Sequence, residues 1–319
     1  MEKTGKFLIS LDFELLWGVR DNKTIITYGK NLLGVWESFP KTVNAFEEHQ
    51  VKGTFATVGF LFASNKEELL RYCPKEKPKY SDSNLSPYNG HFDLVQENEK
   101  LDKYHFASEL ISLLQKYPNQ EIATHTFSHY YCLEDGQTIN DFKNDIIAAI
   151  EIAKLRDISL KSIVFPRNQQ NDEYLEVLKE LGITSYRGNE KSWFYSASSG
   201  DEEYLHKRIF RLIDSYFNIS GNNCYDIEEI AKKEPFDIPS SRFLRPFNPK
   251  LKLFEKLRLR RILRSMTYAA KNQKIFHLWW HPHNFGTHQN ENIEFLNKIL
   301  NHYSFLNSKY GFESLTMSD

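Results

Sequence analysis

The 319-residue sequence has only three cysteines, Cys73, Cys132 and Cys224, and no two of them form a CxxC pair. That excludes a disulfide framework and a cysteine-ligated zinc site. Long apolar runs are missing too: the first, Phe7 to Leu11, is cut short by Asp12. A secretory signal needs a longer run and a membrane span needs about twenty apolar residues, so a cytoplasmic protein is expected. Nor is there an excess of either charge, with 41 Lys plus Arg against 42 Asp plus Glu. The electrostatic case for a nucleic-acid partner therefore falls away. Internal repeats, low-complexity tracts and linkers are absent. What is present is 40% hydrophobic and 14% aromatic content, enough for a large core. One domain spanning 1–319 is expected, since α/β barrels reach this length as single units.

Short apolar runs alternate with segments of helical period, the pattern of a parallel α/β fold. Strands are predicted at Phe7–Leu11, Thr54–Val58, Glu121–Thr124, Ser162–Phe165, Thr184–Tyr186, Lys274–Trp280 and Phe312–Thr316. Helices are predicted at Val35–Gln50, Phe106–Lys116, from Thr138 onward, Asn171–Leu181, Lys252–Ala270 and Ile293–Leu306. Thr138 and Asn171 are the capping residues, Asp141 favours the first turn, and Gly182 supplies a left-handed stop. Two stretches break the alternation. An insertion at about 64–104 carries Pro74, Pro78 and Pro87 and reads as a solvated loop or a lid over the barrel mouth. Trp193–Tyr225 reads as irregular and aromatic.

Chemistry-bearing residues gather after the predicted strands. Asp12 and Glu14 follow the first, His125 and His129 the third, Arg167 the fourth, and His281 the late one. In β/α barrels those ends converge on one face. Asp12 and Glu14 share a face of an extended chain, where two carboxylates repel unless a cation or proton lies between them; an exposed pair or a strand-end cap is the plainer alternative. His125 and His129, at i and i+4, would meet on one face of a helical turn, close enough to bind one metal ion. In His277–His283, alternation puts His277, Trp279 and His281 on one face, and Pro282 ends pairing so that His281 stands at the rim. Histidines in so apolar a run are otherwise satisfied core groups. Trp17, Asn168, Trp279 and His283 are candidate substrate contacts.

At these residues the chain resembles the polysaccharide deacetylases, the carbohydrate esterase 4 or NodB-homology family. His125-Thr126-Phe127-Ser128-His129 is similar to its H-[S/T]-x-x-H motif, Leu278-Trp279-Trp280-His281 to its L-x-x-H motif, and Thr54–Gly59 to its second strand. The first motif departs: Ser10-Leu11-Asp12-Phe13-Glu14 separates by one residue two carboxylates that the family usually places side by side. Phe165-Pro166-Arg167-Asn168 stands where R-x-P-Y is usual. The resemblance implies a distorted, seven-stranded, TIM-like (β/α) barrel and hydrolysis of an N-acyl group on an amino sugar. It implies one divalent ion, zinc by type, on Glu14, His125 and His129, with Asp12 as base and His281 as acid. The reverse assignment of Asp12 and Glu14, or both on the metal, stays open. Arg167 would orient Asp12 or bind an anionic sugar; Asp214 and Asp237 are candidates for orienting His281. The substrate expected is a nucleotide- or lipid-linked precursor of a surface polysaccharide such as O-antigen or capsule. A hydrolase of cyclic ureides or other small amides, and a non-catalytic carbohydrate- or metal-binding protein, are the alternatives.

Between Arg242 and Arg264 nine basic residues face a single acid, Glu255. A solvated basic helix is the plain reading; contact with diphosphate-linked sugars or an anionic membrane surface is the functional one.

Overall fold

The computed structural model describes residues 4–197 and 205–319; the part of the Trp193–Tyr225 stretch at 198–204 lies outside it. Among the described residues ten strands form one sheet: β1 Lys6–Phe13, β2 Thr54–Thr57, β3 Glu121–Thr124, β4 Ser162–Ile163, β5 Ser185–Tyr186, β6 Tyr225–Asp226, β7 Phe236–Asp237, β8 Arg242–Phe243, β9 Lys274–Trp280 and β10 Glu313–Leu315. The wall runs β9-β1-β2-β3-β4-β5-β7, all parallel.

One extended segment, 236–243, closes this wall. Its first half bonds to β5, with Phe236, Ile238 and Ser240 donating to the carbonyls of Thr184, Tyr186 and Gly188 at 2.7, 2.9 and 2.9 Å. Its second half crosses to β9, with Ser241, and Leu244 just beyond the segment, donating to the carbonyls of His277 and Trp279 at 2.8 and 2.7 Å. Counting that segment once gives the seven-stranded distorted barrel that the sequence implied. The closing segment was not foreseen in the sequence, whereas the short strand expected at Phe312–Thr316 is present as β10, off this wall. β10 pairs with the start of β1, and Met317 beyond it packs inside the barrel floor with Leu8, Ala56, Ala123, Val164, Ile238 and Ile275.

The period of two along β1 divides its residues cleanly. Phe7, Ile9, Leu11 and Phe13 point outward into the large core beneath the helices. Leu8, Ser10 and Asp12 point inward. Small interior residues such as Ser10, Ala56 and Ala123 leave room above the floor for the large polar groups of the mouth.

Most helices fall where periodicity put them. Ile139–Lys154 starts with a reciprocal Thr138–Asp141 capping box, and Gly182 has φ 78°. The helix Ile25–Leu33 was not foreseen, and the stretch read as irregular contains the helix Leu205–Asp214. The insertion at about 64–104 is exposed over much of its length yet anchored to the barrel mouth. It contains the helix Lys66–Tyr72, and its Tyr80 and Leu85 pack against Tyr131. The Tyr80 hydroxyl accepts from Tyr131 N at 2.9 Å, so the excursion braces the chain just after His129.

Candidate active site at the carboxyl ends of the strands

The inward alternation of β1 brings Asp12 and Glu14 to the same side, as expected, while Phe13 packs against Phe39 at 4.8 Å between ring centroids. A Cβ at Gly18 would lie 1.9 Å from the Glu14 carboxyl carbon, so only glycine leaves that carboxylate its space.

His125 and His129 meet, with ring centroids 5.0 Å apart, but not on a helical turn. The backbone from Thr126 to His129 is a tight loop with φ +63° at Thr126 and +57° at His129, so the expected helical geometry is corrected. Positive φ costs energy in non-glycine residues, and the loop is held from several sides. Asp145 accepts from Phe127 N at 2.6 Å and from the Ser128 hydroxyl. Gly59 N and Phe60 N donate to the carbonyls of Thr126 and Phe127 at 2.9 and 3.1 Å. A Cβ on Gly59 would lie 2.4 Å from the Phe127 ring, which explains the glycine there.

Glu14 Oε2 lies 3.3 Å from His125 Nε2 and 3.1 Å from His129 Nε2. Among the described residues only these three, all buried, form a cluster able to hold a metal ion. His125 Nδ1 lies 2.8 Å from the Val164 carbonyl; donating there turns Nε2 toward Glu14 with its lone pair available. Burial would raise the Glu14 pKa, but His281, His125 and His129 outweigh it and hold the carboxyl well below its usual range. Burial, with His125 and Arg20 nearby, pushes His129 down to about 4 despite Glu14. At neutral pH Glu14 is therefore an ionised carboxylate and His129 beside it an imidazole kept from protonating; with His125 they make a donor set that fits a divalent cation of the zinc type.

Arg187, which the sequence reading missed, sits across the barrel from this cluster. It is 1% exposed and bidentate to Asp12, at 2.6 Å to Oδ1 and 2.8 Å to Oδ2. It also donates to Ser10 Oγ at 3.0 Å and Asn168 Oδ1 at 2.8 Å, and its guanidinium lies 4.2 Å over the Trp279 ring. Burial raises the Asp12 pKa, but Arg187, His125 and His281 lower it further, so Asp12 is ionised. The signal was faint because β5 is two residues long and nothing in the local sequence marks Arg187 as inward. Beneath it Ser10 can only accept from the arginine, so its proton goes to His277 Nε2 at 2.8 Å and His277 Nδ1 donates to Ile238 O at 3.2 Å. His277 is the satisfied core histidine of the plainer reading.

His281 stands at the rim, its side chain 25% exposed, with Nε2 3.7 Å from both Asp12 Oδ2 and Glu14 Oε1. Its Nδ1 is buried without a partner among the described residues. Asp214 does not orient it, being engaged by Arg242, Tyr195 and Ser220. Asp237 sits low on the closing segment beside Gly188.

Arg167 does not reach Asp12. It pairs with Asp21 and with Glu134 at 3.0 Å and lies 4.3 Å over Tyr131, so the orienting role expected of it belongs to Arg187. Among the candidate substrate contacts, Asn168 and Trp279 line a cavity of about 760 Å³ beside His281. Trp17 does not face that cavity: it is fully buried, with Nε1 donating to His105 O at 2.8 Å. His283 is buried behind His281, its ring stacked at 5.0 Å and Nδ1 3.8 Å from Glu14 Oε1. The basic segment is also less free than its sequence implied. Arg242, Arg258 and Arg261 are buried and bonded to Asp214, Glu255, Gly221 and Ser265, leaving Lys250, Lys252, Lys256, Arg260 and Arg264 toward solvent.

No family model and no curated protein sequence matches the chain. Among solved structures, it superposes on a Mycobacterium smegmatis protein assigned to the polysaccharide deacetylases, with a TM-score of 0.55 and 13% identity over 94% of this chain and 85% of that one. That likeness is one of fold, and the fold is the distorted barrel that the resemblance implied. Two looser likenesses are to a CE4 family pseudoenzyme from Bacillus anthracis (TM-score 0.45, 12% identity, 100% of this chain and 67% of that one) and to a family 4 carbohydrate esterase from Streptomyces lividans (0.42, 9%, 97% and 91%). Among the described residues no helix is long and apolar enough to cross a membrane.

Proposed function

We propose that this chain is a single catalytic unit that hydrolyses an N-acyl group from an amino sugar with the help of one divalent ion. The observation that carries the reading is the convergence of the Glu14–His125–His129 cluster with the Asp12–Arg187 pair and the rim residue His281. Glu14, His125 and His129 would hold the ion, which would supply Lewis-acid polarisation of the acyl carbonyl and activation of water. The metal type proposed is zinc.

The remaining roles belong to the protein's own groups. Asp12 is ionised and fixed in one orientation by both arms of Arg187, so it accepts the proton of the attacking water. His281, open to the cavity and 3.7 Å from Asp12, delivers a proton to the departing amine nitrogen. Trp279 and Asn168, on the cavity wall, contact the sugar. The substrate we propose is a cytoplasmic precursor of a surface polysaccharide, of the O-antigen or capsule kind. The likeness of fold to a protein assigned to the polysaccharide deacetylases supports the sugar part of this reading.

The test is acetate or formate release from a panel of N-acylated amino sugars, free and phosphate-linked, beside cyclic amides, with zinc supplied or removed by chelation. Metal-dependent release from the sugars is expected. Turnover of cyclic amides alone would replace the sugar with a small amide, and full activity after complete chelation would remove the metal.

A further inference from the structure

The helix Glu255–Lys271 packs one face on the barrel through Ile262, Met266, Ala269 and Ala270 and turns the other outward. On the outer face the exposed cations Lys256, Arg260 and Arg264 recur at i, i+4 and i+8, so they stand in one row. Lys250 and Lys252 extend the charge into the short helix Pro249–Phe254 that precedes it. Among the described residues none of the five has a carboxylate within ion-pair distance. Glu255, the acid beside them in sequence, already takes two bonds from Arg258, at 3.1 and 2.5 Å.

Apolar side chains stand among these charges instead of beneath them. Leu253 is 93% exposed, and Phe254 and Leu257 are 44% and 37% exposed. Further along, the half-buried Leu259 and Leu263 line a cleft of about 470 Å³ that Lys256, Arg260 and Arg264 also border. Thr267 and His302, 2.8 Å apart, complete its wall, and the His302 ring stacks at 6.0 Å on Phe305, itself 53% exposed. Lys256 borders the cleft and Leu257 follows it in the chain, so the exposed apolar group and the cleft adjoin. A face that joins a row of cations to apolar side chains complements a surface that is anionic outside and apolar just beneath. That is the order of groups in a bilayer with acidic headgroups. A nucleic-acid duplex offers the charge without the apolar layer.

We propose that this face docks on an anionic lipid bilayer, with the five cations at the headgroups and Leu253, Phe254 and Leu257 reaching the acyl boundary. The face adjoins the cavity beside His281. Arg258 donates to the carbonyl of Arg245, a cavity residue, and the Phe254 ring lies 6.0 Å from that of Tyr216, which follows Ser215 on the cavity wall. The docking does not depend on the hydrolase reading above.

The test is co-sedimentation of the full chain with vesicles of phosphatidylcholine alone and of phosphatidylcholine mixed equally with phosphatidylglycerol. Binding to the mixed vesicles is expected to be at least about a hundredfold tighter and to weaken as salt rises. Lys256→Glu with Arg260→Glu, both at exposed positions, should weaken it at least about tenfold. Leu253→Ser, at an almost fully exposed position, should weaken it about tenfold at any salt. His125→Ala should bind as the wild type does, so a failure of the hydrolase reading leaves the docking standing. Hydrolysis of soluble acyl sugars without vesicle binding would sink the docking alone. Equal affinity for the two kinds of vesicle, or none for either, would overturn the proposal. A Leu253→Ser variant as tight as wild type, or a DNA duplex bound more tightly than the mixed vesicles, would mark a plain polyanion site and overturn the bilayer.

Discussion

The two sides of the barrel mouth bury opposite charges. On the β1–β3 side one carboxylate lies within 3.3 Å of each of two imidazoles. On the side built from β5 and the closing segment, arginines are buried, and two of them are already matched: Arg187 by Asp12 and Arg242 by Asp214. Burying a charge is costly unless a partner and hydrogen bonds accompany it. The first side thus fits a metal ion, and the second fixes one carboxylate. The contrast sets a polarity across the cavity, with the group proposed to activate the carbonyl on one side and the proposed sugar contacts on the other.

The strongest way to break that contrast is His125→Ala. We expect metal content, measured by elemental analysis, to fall below about a tenth of an equivalent and acyl release to reach background. A wild-type protein that takes up no divalent ion would remove the cation side altogether. His281→Ala should slow turnover by about 10²–10⁴-fold while the metal content stays at the wild-type level; full activity would take the acid role from His281.

On the arginine side, Arg187→Met leaves Asp12 buried and unpaired. A loss of about 3–5 kcal/mol in stability is expected, with kcat lower on the order of 10–100-fold, read by denaturant unfolding and steady-state kinetics. If Asp12→Asn together with Arg187→Met is as destabilised as Arg187→Met alone, the pairing is not what the arginine supplies.

Asp214→Asn probes the other matched arginine through pH. Burial raises the Asp214 pKa, but Arg242 and the Ser220 bonds outweigh it and hold it down at about 2, against about 3.9 in an unfolded chain. A depressed folded value stabilises above the unfolded pKa, and that contribution is lost as pH falls from about 4 to about 2. The wild-type Tm should therefore drop more steeply across that window than that of the variant. Parallel curves would show that the pair contributes nothing to acid sensitivity.

The smallest effect is expected from Arg167→Ala. This arginine bridges Asp21 and Glu134 with its side chain 29% exposed, so about 1 kcal/mol or less should be lost and kcat should change little. A collapse of kcat like that of Arg187→Met would return the orienting role to Arg167.

The sequence itself showed that the fold is a parallel α/β barrel and which strand ends carry the chemistry. Periodicity is a local property, and β1, β3 and β9 are long or apolar enough to display it. Asp12, Glu14, His125, His129 and His281 were legible for that reason: each follows a recognisable strand. The same logic failed where strands are two residues long. β5, β7 and β8 are specified by their neighbours rather than by pattern, so Arg187 and the closing segment could not be read in advance, and Arg167 was given a role that belongs to a residue twenty positions later.

Two matters were left to the tertiary structure. The conformation joining His125 to His129 depends on Asp145 and Gly59, which are distant in sequence, so residue spacing alone suggested the wrong turn. The partner of each buried charge depends on which strand lies across the barrel, and that is decided by closure. Residue types and their order settled which groups stand at the mouth; long-range packing settled which of them face one another.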